Sequence, residues 1–414
     1  MIAQKNNKTT EAYQVAVIGG GLVGAAAALA LLKLGLRVVL VEQHPAPTST
    51  DNWDPRIYAI SPASEDLLRD LGVWQRMDAA RLQAVYRMDV YGDAQGHLRF
   101  DAYEAGIGRL ATILESNRLQ QALWQAIREQ DNRAIRCPVL LESIDWGSPT
   151  STLHFADGSS MRTELIVAAD GAHSRVRELA GLSHHTQAYA QQGVVANFSC
   201  ELPHRGTAFQ WFGATQQGEI LTYLPLAGTT SRILTPSAEN PDALAGNRMS
   251  LVWSTQRAES LLALDAHTFA QQVEDAGQAR LGKLSLLTSP LSFPLQLTRV
   301  ERVYLSGLVL VGDAAHGVHP LAGQGVNLGL GDVTALRSVL TQRGLARCGD
   351  EILLARYARQ RAFPVTQMQG VLHGLHQLFD FNGARWARNT GMDVLNHLGF
   401  AKTTLVREAT RFSQ

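Results

Sequence analysis

The sequence predicts an α/β protein of two interleaved lobes, one built to hold a nucleotide and one an antiparallel sheet, followed by C-terminal helices. Three observations predict it. A buried strand near the start of the chain runs into closely spaced glycines and an alanine-rich helix. Two later apolar strands each end at an Asp–Gly or Gly–Asp pair. A long middle stretch alternates apolar and polar residues. With 414 residues the chain exceeds what one hydrophobic core usually serves. The nucleotide lobe is expected at 13–75, 110–187 and 295–350, the sheet lobe at 76–109 and 188–294, and the helical region at 351–414.

The first element is Val15-Ala-Val-Ile18, an apolar run short enough for a buried strand, followed by Gly19-Gly-Gly21-Leu-Val-Gly24 at the mouth of an Ala- and Leu-rich helix. Gly19 permits a tight turn, Gly21 lets a pyrophosphate approach the backbone, and Gly24 lets helix and strand pack closely. The helix N-terminus turns its free N–H groups to the anion. Gly35 closes the helix, and Arg37-Val-Val-Leu-Val41 forms a second strand ending at Glu42. A carboxylate there accepts from the adenosine ribose hydroxyls. A 2′-phosphate about 4 Å from it would cost on the order of 4 kcal/mol per charge at an effective dielectric near 20, so the resident ligand of this Rossmann-like lobe is FAD or NAD, not NADP.

The run Val15–Leu32 holds only apolar residues and glycine, but three consecutive glycines break it into strand, turn and helix and exclude a membrane span. The 37 Lys and Arg balance the 37 Asp and Glu, which excludes an extended nucleic-acid footprint. Cys137, Cys200 and Cys348 lie too far apart for a zinc or redox pair. The polar Met1–Gln14 stretch lacks the apolar core of a secretory signal, so a cytoplasmic protein is expected.

The second motif is Leu165-Ile-Val-Ala-Ala169, a strand ending in Asp170-Gly171-Ala-His-Ser174-Arg175-Val-Arg177, where Ser174 caps a helix closing near Gly181. The third is Leu308-Val-Leu-Val311, followed by Gly312-Asp313-Ala-Ala-His316, a loop, and a helix opened by Gly323–Asn327 and running toward Leu340. Asp313 at a strand end can accept from a sugar-alcohol hydroxyl, and Gly312 lets a ligand touch backbone. The late helix can face the negative charge a reduced flavin carries, an effect of about 0.3 to 2 kcal/mol. His316 and His319 have no Cys or carboxylate cluster beside them in sequence, so loop packing is expected of them and no metal.

In order, these motifs resemble the class A flavoprotein monooxygenases, whose hallmarks are an N-terminal GxGxxG, a central Asp-Gly and a late Gly-Asp. Within that class, Asp54-Pro-Arg56-Ile-Tyr-Ala-Ile60-Ser61 and His319-Pro-Leu-Ala-Gly-Gln-Gly-Val-Asn327-Leu-Gly-Leu-Gly-Asp332 are similar to the ubiquinone-biosynthesis hydroxylase family. The resemblance spans nearly the whole chain, including Tyr357-Ala-Arg-Gln-Arg361. It implies FAD as resident cofactor, NADPH or NADH as a transient electron donor, O2 as co-substrate, and ring hydroxylation of a polyprenylated phenol or benzoquinol on the route to ubiquinone. By matched position it implies that Gly19, Gly21, Gly24 and Glu42 hold the ADP half and that Arg56 reaches the pyrophosphate. Asp170 and Gly171 would serve both FAD and the visiting nucleotide. Gly312 and Asp313 would meet the ribityl chain, and Pro320, Gly323, Gln324, Gly325 and Asn327 would line the ring system. Two departures stand out. Glu115-Ser-Asn-Arg118 places Asn117 where the family often has arginine, with Arg118 one position on as a substitute flavin contact, and Gly331 stands where Arg or Phe is common.

Only one complete GxGxxG is present, so one resident nucleotide is expected and a nicotinamide nucleotide must visit the same site. No acid–base residue is singled out as catalytic. The stretch Ala188–Phe293 predicts antiparallel strands, and Val90-Tyr-Gly with Leu98-Arg-Phe100 predicts a hairpin joined to them. Beyond Asp350, Leu372, Leu375, Leu378 and Phe379 recur at helical spacing beside Arg385, Arg388, Arg407 and Arg411. Core-facing helices explain this. A docking face for a membrane surface or for biosynthetic partners is the sharper alternative. A di-iron hydroxylase is excluded because its only Glu-x-x-His, Glu201 to His204, is interrupted by Pro203. A non-oxygenating flavin oxidoreductase and a flavin-bearing assembly subunit remain as alternatives.

Overall fold

The structure, a computed structural model, describes residues 11–48, 51–93, 96–215, 218–228, 247–317 and 325–380, the last ten as backbone. Pro320, Gly323, Gln324 and His319, and the side chains of Leu372, Leu375, Leu378 and Phe379, lie outside the described residues, as do Arg385, Arg388, Arg407 and Arg411.

The expected first strand is Glu11–Ile18, and its neighbours are Val38–Val41 on one side and Ser160–Ala168 on the other, all parallel. Ser160–Ala168 pairs in turn with Leu308–Leu310, again parallel. Short strands at Tyr304–Leu305 and Ile135–Arg136 complete this row, and Leu141–Asp145 and Ser151–Phe155 attach antiparallel. Their apolar side chains are buried on both faces, as parallel strands covered by helices require. The helix Leu22–Leu32 consists of strong helix formers with one glycine, and every residue from Gly24 to Leu32 is buried. It packs between the helices Ser116–Gln130 and Gly325–Thr341 over one face of the sheet. A second apolar cluster, with Val39, Ile166 and Leu310, covers the other face.

The second sheet is mainly antiparallel, as the alternation predicts. His184–Cys200 pairs with Leu291–Val300 and Arg248–Thr255, and Ile220–Leu226 and Thr207–Phe212 follow. Two of these strands, His184–Cys200 and Leu291–Val300, run across the boundaries expected near 187 and 294. The expected hairpin is Arg87–Tyr91 with His97–Asp101, and it joins the sheet through a parallel pairing with Thr207–Phe212. One face of this sheet buries Phe198, Trp211, Tyr223 and Trp253 against the helix Ala266–Ala276. On the other face, the central row reads Val195, Val252, Thr222, Gln210 and Val90. This inner face meets the nucleotide lobe at two places. Phe212 and Ile220 pack with Leu328 and Met368, and Ala208 and Leu224 pack on a small sheet formed by Ile57–Ile60, Ala111–Glu115 and Gln83–Val85.

Candidate active site and cofactor cleft

The register of the parallel sheet places four strand ends in line. Ile18 is level with Val41 and with Ala168, and Ala168 is level with Leu310. The ladder continues one residue further, through Gly19 N–H to Val41 O, Ala169 N–H to Ile18 O, and Val311 N–H to Ala168 O. Gly19, Glu42, Asp170 and Gly312, separated by up to 293 positions in sequence, therefore leave the sheet along one edge. In an open parallel sheet the crevice beyond the carboxyl ends of the strands is where ligands bind.

The glycines of the first motif stand in different surroundings. Gly19 has φ +107°, and a Cβ there would lie 2.3 Å from Ala169 O. At Gly24 a Cβ would lie 1.9 Å from Gly19 O, so only glycine lets the helix sit this close to the strand. A Cβ on Gly21 would meet nothing within 4 Å, which leaves space in front of the helix N-terminus. Gly20 was not singled out in the sequence, yet its N–H donates to Glu42 Oε2 at 2.6 Å and its carbonyl accepts from the Trp124 indole and Gln120. Glu42 Oε1 accepts from the backbone and ring nitrogens of His44. The acid thus braces the glycine turn while standing at its mouth.

Arg56 keeps 60% of its side chain exposed, and its Nε reaches Asp54 at 3.4 Å. Asp54 is buried and accepts from the backbone of Arg56 and Asn117. Its own N–H donates to Glu115, a buried carboxylate that also takes a bidentate pair from Arg81 and a bond from Arg118 Nε at 2.9 Å. Arg118 is therefore tied to Glu115, and Asn117 leaves a buried Oδ1 with no bond. Asp170 spends its oxygens locally, on Ser174 Oγ at 2.5 Å and Val176 N–H at 3.0 Å, and caps the helix Arg175–Leu179 together with Ser174. Burial pushes its carboxyl up, against those bonds. Gly171 follows with φ +85° and open space. Arg177, next in the same motif, reaches across to donate to Ala314 O.

Asp313 differs from every other carboxylate of the cleft. No donor among the described residues reaches it, and it is open to solvent although protein surrounds it on most sides. The loss of water pushes its carboxyl up, with Asp332 adding to the rise and His316 opposing it. Tyr58 lies within electrostatic reach of it and is pushed up too, by burial first and then by the Asp313 charge. A carboxylate that opens to the cleft with no protein donor among the described residues is available to accept from the hydroxyls of a ligand. With the open space at Gly21 and Gly171, it fits the ribityl and pyrophosphate portions of FAD.

Asn327, in the first described turn of Gly325–Thr341, turns its side chain to the backbone of the small sheet. It donates to Ala59 O at 2.8 Å and accepts from Ser61 N–H at 2.9 Å. The side chain thus joins helix to strand. Gly331 also finds its reason: a Cβ there would come within 2.9 Å of the Arg361 guanidinium, so a large residue has no room.

The chain matches the model of the FAD binding domain family over residues 12–369. It belongs to that family. Over 97% of its length and 99% of the relative's, it is 34% identical to the 3-demethoxyubiquinol 3-hydroxylase of Escherichia coli K12. It is 33% identical to the ubiquinone hydroxylase UbiL of Rhodospirillum rubrum, covering 95% of this chain and 89% of the relative. In fold it is similar to PqsL of P. aeruginosa in complex with 2-aminobenzoylacetate, with a TM-score of 0.75 at 21% identity over 92% of this chain and 100% of the other. The p-nitrophenol 4-monooxygenase PnpA of Pseudomonas putida DLL-E4 is as close in fold, with a TM-score of 0.75 at 17% identity, covering 97% and 99%. The chain is thus an FAD-dependent flavoprotein monooxygenase, and the class A resemblance read from its motifs holds. Among the described residues no helix is long and apolar enough to cross a membrane.

Proposed function

We propose that this chain hydroxylates the ring of a polyprenylated phenol or benzoquinol in ubiquinone biosynthesis, using O2 and electrons from NADPH or NADH. The observation that carries the reading is Asp313, an unserved carboxylate at the end of a four-strand row, in a chain that matches a ubiquinol-ring hydroxylase from end to end. FAD, when bound, would supply the redox chemistry by which electrons of the nicotinamide nucleotide and O2 place one oxygen atom on the ring and release the other as water.

The chain's own residues bind, orient and exclude water. Gly19, Gly21, Gly24 and Glu42 receive the ADP half, with Glu42 accepting from the ribose and Arg56 reaching the pyrophosphate. Asp170 and Gly171 shape the turn that faces both FAD and the visiting nucleotide. Gly312 and Asp313 take the ribityl hydroxyls, and Gly325 and Asn327, with Pro320, Gly323 and Gln324 outside the described residues, border the ring system. The inner face of the second sheet closes the cleft with an apolar row in which Thr222 and Gln210 are the polar members. We assign the pair to the oxygen substituents of the substrate ring and the surrounding valines to its apolar parts, in a dry pocket that shields reactive oxygen from water.

The test is direct. The purified protein emerges yellow and consumes NADPH or NADH and O2 when given a prenylated phenol, and mass spectrometry of a deletion strain finds a quinone precursor lacking one ring hydroxyl. Flavin without substrate-dependent O2 uptake would instead mark a non-oxygenating oxidoreductase. We further assign residues 381–414, which carry Arg385, Arg388, Arg407 and Arg411, to docking on the inner membrane surface, which brings the enzyme to a greasy substrate. Truncation after Asp380 then abolishes sedimentation with anionic liposomes, and unchanged sedimentation rejects the assignment.

A further inference from the structure

The C-terminal helix Glu351–Asp380 lies in sequence beyond every residue assigned to the cofactor, yet it bonds the strand that enters the Asp313 loop, the loop at Gly317 and, through Asp332, the loop between them. Tyr357 Oη donates to Leu310 O at 2.9 Å, on the strand entering the loop. Arg361 Nε donates to Asp332 Oδ1 at 2.7 Å, and its terminal nitrogen to Leu328 O at 2.9 Å. Asp332 Oδ2 accepts from Gly312 N–H at 2.8 Å and from His316 Nε2 at 2.7 Å. Gln369 Nε2 donates to Gly317 O at 3.2 Å and Thr298 O at 3.1 Å, where the loop ends. From the far side, Arg177 holds Ala314 O. Leu310, Gly312, Ala314, His316 and Gly317 are thus each bonded from outside the loop, and Asp313 between them is left to the cleft.

The centre of this arrangement is an ion cluster with almost no access to water. Asp332 is fully buried, and Arg361 and His316 are 4% and 5% exposed. Burial alone would push the Asp332 carboxyl up, but His316 and Arg361 outweigh it and hold it below the usual carboxylate range. A buried pair of this kind contributes little net stability against an apolar replacement, so its use lies in fixing geometry. Gly331 completes it, since any side chain there would displace the guanidinium.

We infer that Arg361 and Asp332 are positioning residues for the flavin. They set the Gly312–Gly317 backbone so that Asp313 stands where the ribityl hydroxyls arrive, which makes the C-terminal helix part of the cofactor site. The inference rests on the assignment of Asp313 to FAD.

The experiment compares Arg361→Met, Arg361→Lys, Gln369→Met and Tyr357→Phe with the parent chain. Each is measured for FAD dissociation constant, visible spectrum of the bound flavin, melting temperature of the apoprotein, and amide hydrogen exchange over 308–317. Tyr357→Phe removes a bond from the strand, not the loop. It lowers the melting temperature and leaves the FAD dissociation constant within about twofold. Arg361→Met raises that constant by about tenfold or more, a loss of roughly 1.4 kcal/mol, and speeds exchange at Gly312 to Gly317. Arg361→Lys recovers part of the affinity through the ion pair. Gln369→Met removes only neutral bonds and preserves packing, so it folds even where Arg361→Met does not, and it raises the constant severalfold. Variants of Arg361 and Gln369 that lose no more FAD affinity than Tyr357→Phe at equal loss of melting temperature overturn the inference. Asp313→Ala keeps the two readings apart. If it binds FAD like the parent chain, the cofactor assignment fails; if it alone loses FAD, the positioning role fails and the assignment stands.

Discussion

Gly21 and Gly24 stand three positions apart in one motif, and the structure requires opposite outcomes when each is changed to alanine. At Gly24 the new methyl would lie 1.9 Å from Gly19 O, a backbone atom, and contact near 3.2 Å is reached only if helix and strand separate by more than about 1 Å. Overpacking of this kind costs typically 1–3 kcal/mol. At Gly21 the methyl would meet nothing within 4 Å, and its φ of −66° and ψ of −174° suit alanine. The loss of a preferred N-cap residue and the reduced entropy of the unfolded chain oppose each other and are each about 0.5–1 kcal/mol, so the apoprotein is nearly unchanged. On the proposed assignment of Gly21, the same methyl occupies the space that the pyrophosphate enters. If it imposes an overpacking cost of about 2–3 kcal/mol on the complex, FAD affinity falls roughly 30- to 150-fold. Chemical denaturation of the apoproteins gives the first quantity and titration of flavin fluorescence the second. A Gly21→Ala apoprotein as unstable as Gly24→Ala, or one that binds FAD normally, would refute the reasoning.

Three other predictions concern the charged groups. Asp313 has its carboxyl raised in the folded state, so it favours folding only while protonated and this contribution is lost as pH rises through its folded value. Asp313→Asn therefore stabilises the apoprotein at pH 7 but not near about pH 3, while FAD binding is lost; equal melting temperatures of variant and parent at both pH values would count against it. Glu115→Gln leaves the partly buried guanidiniums of Arg81 and Arg118 without a carboxylate, which should cost about 3–5 kcal/mol in urea unfolding. A loss under about 1 kcal/mol would mean that water already shares the cluster. Gly331→Phe, which restores a residue common in the family, displaces Arg361 and should destabilise by about 1–3 kcal/mol, unless Arg361→Met is made with it.

The cofactor lobe is legible in the sequence because its constraints are local. A glycine that must turn, a carboxylate at a strand end and an apolar run before each can be read within a few residues, and the four strand ends duly fall in line. What escapes is whatever depends on partners far along the chain. Nothing near Glu115 announces Arg81, and nothing near Gly331 announces Arg361, because a buried ion pair leaves no periodic signature. The alternation through 188–293 reveals strands, but not that Thr207–Phe212 lies parallel to Arg87–Tyr91. That Asn327 ties the late helix to Ala59 and Ser61 is equally unannounced, because it depends on how that helix crosses the small sheet. Gly20 is passed over because the motif counts glycines by spacing, while its need arises from Trp124 and Glu42 pressing on it from either side.

The aligned strand ends also set an order of events during synthesis. Ile18, Val41 and Ala168 emerge from the ribosome long before Leu310, yet the Asp313 carboxylate stands beyond the last of them. A nascent chain halted short of that point lacks the last strand end of the row, so the crevice beyond the sheet is complete only as the final quarter of the polypeptide arrives.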